Sequence, residues 1–357
     1  MSLTSLEIQH FRNLHQINFE PDASLNVISG INAAGKTSLL ESLFYLSYGR
    51  SFRSSQTRDL ITYDQDFFRL VARVNNNQNE SIIGMQKSIR EQTIRVDKQD
   101  ITKISDLAAL LPVIALHPDS HQLISSGPEF RRQYVDWGVF HVEHFFIDAW
   151  KRYRKALSQR NAALRHQQPD KMCMLWDQAL VESANQIEQA RCQYLEQLNV
   201  FLEKNATLLF PNNKISLEYK RGWSDELSYQ DYLASTLARD KDKGYTQAGP
   251  HRADIKIKLD NKSAQTAISR GQQKKLVALL KLAQLELFIQ VTSRTCVLLY
   301  DDLPAELDSS NRSILMELLS AMNVQLFVST IETDQLDISY WNSAKKFHVE
   351  HGEISEI

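Results

Sequence analysis

Leu25-Asn-Val-Ile-Ser29-Gly30-Ile-Asn-Ala-Ala-Gly35-Lys36-Thr37-Ser38-Leu39-Leu40 sets an apolar strand, a glycine loop and the start of an apolar helix in direct succession. Gly30 to Thr37 matches GxxxxGK[ST], and the flanking strand and helix are the context that this motif requires. Gly30, Ile31, Asn32, Ala33, Ala34 and Gly35 would turn backbone N–H groups toward phosphates, and the helix N-terminus adds the positive end of its dipole. Lys36 would reach the β and γ phosphates, Thr37 would ligate magnesium, and Ser38 follows in the same turn. A chance glycine-rich turn would match the letters but not the elements on either side. The expected cofactors are ATP and Mg2+.

Val297-Leu-Leu-Tyr-Asp301-Asp302 is an apolar strand that ends in two acids. Alone, such a pair is usually a helix cap or a solvated turn. In a chain with a P-loop it reads as a Walker B strand, with Asp301 holding the magnesium and Asp302 orienting or deprotonating the attacking water. Lys36, Asp301 and Asp302 form the expected catalytic set. Between the P-loop and this strand lies Ile268-Ser269-Arg270-Gly271-Gln272-Gln273, which opens a long amphipathic helix and resembles the LSxGQ signature of ABC-type ATPases. An N-capping serine beside a flexible glycine would look the same, but the order of P-loop, signature and Walker B favours the signature. The resemblance implies that Ser269, Gly271 and Gln272 bind the γ phosphate of ATP on a second copy, so that ATP drives a homodimer.

The same resemblance extends to Glu306-Leu307-Asp308 as a D-loop and to Ser329-Thr330 at the switch position. Many ABC ATPases have histidine there. Thr330 could hydrogen-bond a γ phosphate but cannot act as a cation, which implies slow hydrolysis. Leu116-His117-Pro118-Asp119 stands where a Q-loop glutamine is expected and has none.

Strand patterns fill the start of the chain, with a polar turn at Asn75-Asn76-Asn77, and give way to helical periodicity from about Pro128 to Phe210. Strands then return and alternate with helices, which implies a parallel sheet covered by helices. The predicted fold is α/β: an ABC-type P-loop ATPase head made of residues 1–125 and 208–357, with a helical arm, 126–207, inserted into it. Lys+Arg 41 against Asp+Glu 43 leaves bulk charge silent about nucleic acid, so a DNA surface must gather its cations locally. Cys173, Cys192 and Cys296 form no CxxC pair, which suits a reducing cytosol and speaks against zinc. The opening MSLTSLEIQHFRNL lacks a signal pattern and no apolar run is long enough to span a membrane, so a cytoplasmic protein is expected.

Several further segments narrow the resemblance: His10-Phe11-Arg12-Asn13-Leu14, Gly49-Arg50-Ser51-Phe52-Arg53, Gly127-Pro128 with Arg131-Arg132, Arg160 to Arg165, and Gly249-Pro250-His251-Arg252-Ala253-Asp254. With the signature, they resemble the bacterial RecF family nearly end to end, itself similar to the heads of structural-maintenance-of-chromosomes proteins. The resemblance implies Arg12 and Asn13 at the nucleotide and a weak ATPase in DNA repair and replication. It implies an ATP-dependent DNA-binding recombination mediator, acting at single-stranded gaps and double-strand/single-strand junctions and helping RecR and RecO load RecA.

The DNA part has a physical handle. From Ala149 to Pro169 there is no acid, while Lys151, Arg152, Arg154, Lys155, Arg160 and Arg165 supply cations. At about 100° per residue all but Arg160 project to one side, opposite Tyr153, Ala156, Leu157, Ala163 and Leu164. The face reads both as a solvated helix surface and as a phosphate-facing one. A small-molecule P-loop kinase or NTPase using the arm as a lid is the alternative, and the signature and paired acids speak against it. A transporter ATPase is disfavoured by the GRSFR and GPHR segments and by the missing switch histidine.

Overall fold

A computed structural model describes residues 2–76 and 79–357; of the turn expected at Asn75-Asn76-Asn77, Asn77 lies outside the described residues. The chain forms two compact units.

The first holds 1–120, 274–281 and 293–357. Its central sheet runs in the order Glu353–Glu356, Ala344–Glu350, Leu25–Ser29, Val324–Ser329, Cys296–Tyr300, Val113–Leu116. All neighbours are parallel except the terminal antiparallel pair. Leu25–Ser29 and Cys296–Tyr300 are buried at every position, because helices and a second sheet leave neither face to water. The second sheet, antiparallel and six-stranded, carries Ser2–Phe11 and Leu14–Phe19 on one side and Phe67–Asn76 next to them. Phe11, Phe19, Phe68 and Leu70 on that sheet share one core with Leu39, Leu43 and Tyr45 of helix Lys36–Tyr48. The helix that follows the P-loop is thus clamped by core contacts along its length.

The second unit holds 121–273 and 282–292. Helices Pro128–Val142, Phe146–Arg165 and Asp177–Leu209 pack together, and at Gly138 an added Cβ would stand 2.0 Å from the Tyr194 ring, so only glycine lets the two helices approach. This unit is larger than the arm expected at 126–207, since strands Ile215–Lys220 and Asp254–Leu259 and helix Tyr229–Lys243 belong to it. The reason lies in backbone satisfaction: Asn199 of the long helix accepts from Leu217 N at 2.8 Å and donates to Leu217 O at 2.9 Å. Arg131 closes the same unit, with Nε 2.7 Å from Asp254 Oδ1 and Nη2 3.1 Å from Oδ2. No helix among the described residues is long and apolar enough to cross a membrane.

Candidate nucleotide site

Strand Leu25–Ser29, which feeds the P-loop, and strand Cys296–Tyr300, which ends in the paired acids, are separated by one strand, Val324–Ser329. All three point the same way, so their C-terminal ends meet at one edge of the sheet, where ligands of open α/β sheets sit. There a cleft of about 580 Å³ is lined by Arg12, Asn13, Asn32, Lys36, Thr37, Ser38, Arg53, Asp301, Asp302 and Ser329 among others.

The loop is shaped by Gly30, whose φ of +148° no L side chain adopts readily and whose Cβ would meet Val349 O at 2.3 Å. Lys36 Nζ donates to Gly30 O at 2.6 Å and Ile31 O at 2.9 Å, which holds the ammonium across the loop. Burial lowers its pKa, against the pull of Asp302 and Asp301. Thr37 Oγ1 donates toward Asp301 Oδ2 at 2.9 Å, and Ser329 Oγ donates to Asp301 Oδ1 at 2.7 Å. Burial raises the Asp301 pKa, while the Ser329 and Thr37 hydroxyls work the other way. A buried carboxylate and a hydroxyl in contact are hard oxygen donors of the kind magnesium takes when phosphates and water complete its shell. No cluster of three or more His, Cys, Asp or Glu stands ready as a metal cage among the described residues. Asp302 sits at φ 56°, ψ 50°, a left-handed bend that Asp tolerates better than most residues, and its N–H donates to Ser329 Oγ at 2.8 Å.

Arg12 and Asn13 form the two-residue turn between strands Ser2–Phe11 and Leu14–Phe19. Asn13 Nδ2 donates to Ala33 O at 3.3 Å and Ala34 O at 3.2 Å, and its Oδ1 accepts from Ser38 Oγ at 2.7 Å, so the turn is tied to the P-loop. Thr330, expected at the γ phosphate, is fully buried, and its hydroxyl donates to Glu332 O at 2.9 Å. The structure brings Ser329 to the cleft instead. Arg53, Asp59 and Ser329 are lining residues that the sequence does not mark as site residues, although Arg53 lies in the GRSFR segment and Ser329 precedes Thr330 at the switch position.

In the second unit, Ser269 N donates to Gln272 Oε1 at 2.9 Å and Gln272 N to Ser269 Oγ at 3.4 Å, a reciprocal cap at the start of helix Arg270–Thr292. Ser269, Gly271 and Gln272 are all exposed, and a Cβ at Gly271 would meet nothing within 4 Å. On helix Phe146–Arg165 the side chains of Lys151, Arg152, Arg154, Lys155 and Arg165 are exposed, whereas Tyr153, Ala156 and Leu164 are buried. Arg160 is also buried, 2.8 Å from both Asp177 Oδ1 and Asp240 Oδ2. Asp148 stands 3.7 Å from Lys151, and Arg152 donates to Gln186 at 2.8 Å. Arg131 and Arg132 are engaged by Asp254 and by Ala253 O, respectively.

The RecF/RecN/SMC N terminal domain family matches residues 2–355. The chain is 41% identical over 356 residues to the DNA replication and repair protein RecF of Thioalkalivibrio sulfidiphilus, covering 99% of each. To the RecF of Stutzerimonas stutzeri it is 38% identical over 362 residues, covering 100% of this chain and 98% of the relative. Among solved structures, the recombination mediator protein RecF-ATP in the RecFOR pathway superposes with a TM-score of 0.88 at 26% identity, covering 100% of this chain and 97% of that one. The Smc head domain of Pyrococcus furiosus, at a TM-score of 0.62 and 14% identity over 100% of this chain and 96% of that one, shares the fold.

Proposed function

The chain belongs to the RecF family, within the RecF/RecN/SMC N-terminal domain group, and from that premise we propose that it is an ATP-dependent DNA-binding recombination mediator of DNA repair and replication. The observation that carries the reading is the cleft: the P-loop lysine, the Thr37–Asp301 pair and a second acid in a left-handed bend converge at one sheet edge. ATP occupies this cleft, with its phosphates against the P-loop and Lys36. Thr37 and Asp301 would hold magnesium, which would supply charge neutralisation on the phosphates. Asp302 orients or deprotonates water. With Ser329 and Thr330 at the switch position and no histidine there, hydrolysis is slow.

The exposed Ser269, Gly271 and Gln272 serve the γ phosphate of a second copy. ATP therefore joins two chains, and hydrolysis releases them. The ATPase work falls to the unit that carries the cleft, and DNA engagement to the helical arm, through Lys151, Arg152, Arg154, Lys155 and Arg165. The DNA is single-stranded gaps and their duplex junctions, and the protein partners are RecR, RecO and RecA, as the RecFOR pathway in which the structural relative is placed suggests. Sedimentation with and without ATP, repeated with gapped, duplex and single-stranded DNA, tests this. A chain that stays monomeric with ATP and binds DNA equally with and without it would contradict the reading.

A further inference from the structure

Glu41 lies in the second turn of the P-loop helix, is 0% exposed and plays no part in the chemistry described above. A buried carboxylate is costly unless paired and hydrogen-bonded. Its Oε2 accepts from Arg12 Nε at 2.9 Å and its Oε1 from Arg12 Nη2 at 2.7 Å, a two-point clamp that fixes the plane of the guanidinium. Oε1 also accepts from Ser51 Oγ, which secures the Gly49–Ser54 loop. Arg53, on that loop, is held more loosely, with Nη1 3.6 Å from Oε2. Arg12 Nη1 donates to Asp59 O at 2.9 Å.

We propose that Glu41 is a positioning residue of the nucleotide site, acting through Arg12. A guanidinium carries five N–H donors. Three are taken by Glu41 and Asp59, which leaves one on each terminal nitrogen for phosphate oxygens in the cleft that Arg12 and Arg53 line. With a side chain 16% exposed, Arg12 is fixed before nucleotide arrives, whereas Arg53, at 45%, is free to leave Glu41 for a phosphate. One carboxylate faces two guanidiniums, so the cluster keeps a net positive charge toward a polyphosphate. The proposal rests on the reading of this cleft as the ATP site.

A fluorescent ATP titrated against the full chain, Glu41→Gln, Arg12→Gln and the double variant tests it. Glu41→Gln keeps the shape and removes the charge, and should weaken ATP binding about tenfold. Arg12→Gln should lose at least as much, and the double variant no more than Arg12→Gln alone, because Glu41 works through Arg12. Equal losses from Glu41→Gln in both backgrounds, or an unchanged affinity, overturn the role. Should Glu41→Gln fail to fold because Arg12 is left unpaired, the double variant removes both charges and still decides: it must bind as Arg12→Gln does, and weaker binding overturns the role. Lys36→Met in the same assay keeps the two readings apart. Loss of binding there with no Glu41 effect retains the ATP site and removes Glu41, whereas Lys36→Met binding as the parent does removes the site itself.

Discussion

Thr37 Oγ1 stands 3.0 Å from Asp301 Oδ1 and 2.9 Å from Oδ2, joining the first turn of helix Lys36–Tyr48 to the acid that follows strand Cys296–Tyr300. The P-loop and the Walker B strand are thus locked together through side chains before any ligand is considered. Ser329, ending the strand between them, braces the same carboxylate. Burial raises the Asp301 pKa, and the two hydroxyls work against that rise.

Asp302→Asn should keep ATP binding and ATP-driven dimerisation while lowering hydrolysis by about a hundredfold, the usual scale for loss of a general base. Thr37 and Asp301, the proposed magnesium ligands, remain, and the left-handed bend suits Asn as well as Asp. Single-turnover hydrolysis beside a binding titration checks it; undiminished turnover would take Asp302 out of that role.

Ser269→Arg should leave ATP binding to one chain intact but prevent dimerisation, because a large cation replaces a small capping hydroxyl at an exposed helix start. Mixed with Lys36→Met, it should recover part of the activity, since one of the two composite sites then pairs a sound P-loop with a sound signature. Light scattering and ATPase rates of the mixture read this out. No recovery at any ratio would count against shared sites.

The α/β class was legible because the strands and helices flanking Gly30–Thr37 and Asp301–Asp302 are written in the local sequence pattern. The choice between Ser329 and Thr330 was not. Strand Val324–Ser329 is buried at every position, so no alternation of polar and apolar residues marks which side chain meets the cleft. Glu41 was invisible because its partners Arg12 and Arg53 reach it through tertiary packing. Helix Tyr229–Lys243 was overlooked although its ends were written: Ser228 accepts from Asp231 N, and Gly244 closes it at φ 74°. The extent of the second unit depends on Asn199 and Arg131 satisfying distant strands, a pairing that no local pattern encodes.

His251, in the GPHR segment, has its Nδ1 2.6 Å from the Tyr153 hydroxyl and its Nε2 3.3 Å from Thr246 O. Burial, helped by Arg252, lowers its pKa to about 4 from 6.5. A histidine held neutral in the fold contributes stability that is fully present above about pH 6.5, declines as the unfolded chain takes up the proton, and is lost near pH 4. Tm should therefore fall through this window, and His251→Gln should make the fall shallower while lowering Tm at pH 8. An identical pH profile in the variant would assign the acid sensitivity to other groups.

The exposed cations of helix Phe146–Arg165 give the last test. Among the described residues, Arg154, Lys155 and Arg165 have no ion-pair partner, unlike Lys151 with Asp148. If they neutralise phosphates, condensed counterions are released on binding, and log K for duplex DNA falls by about 0.9 per contact for each unit of log salt. Replacing Arg154 and Lys155 with Gln should weaken binding on all sequences alike and make the slope shallower by up to about two units per chain. Stability should hold, because both side chains point to solvent while Tyr153 and Ala156 carry the packing. Affinity measured across a salt series with ATP present decides the matter. An unchanged slope would make this helix a solvated face.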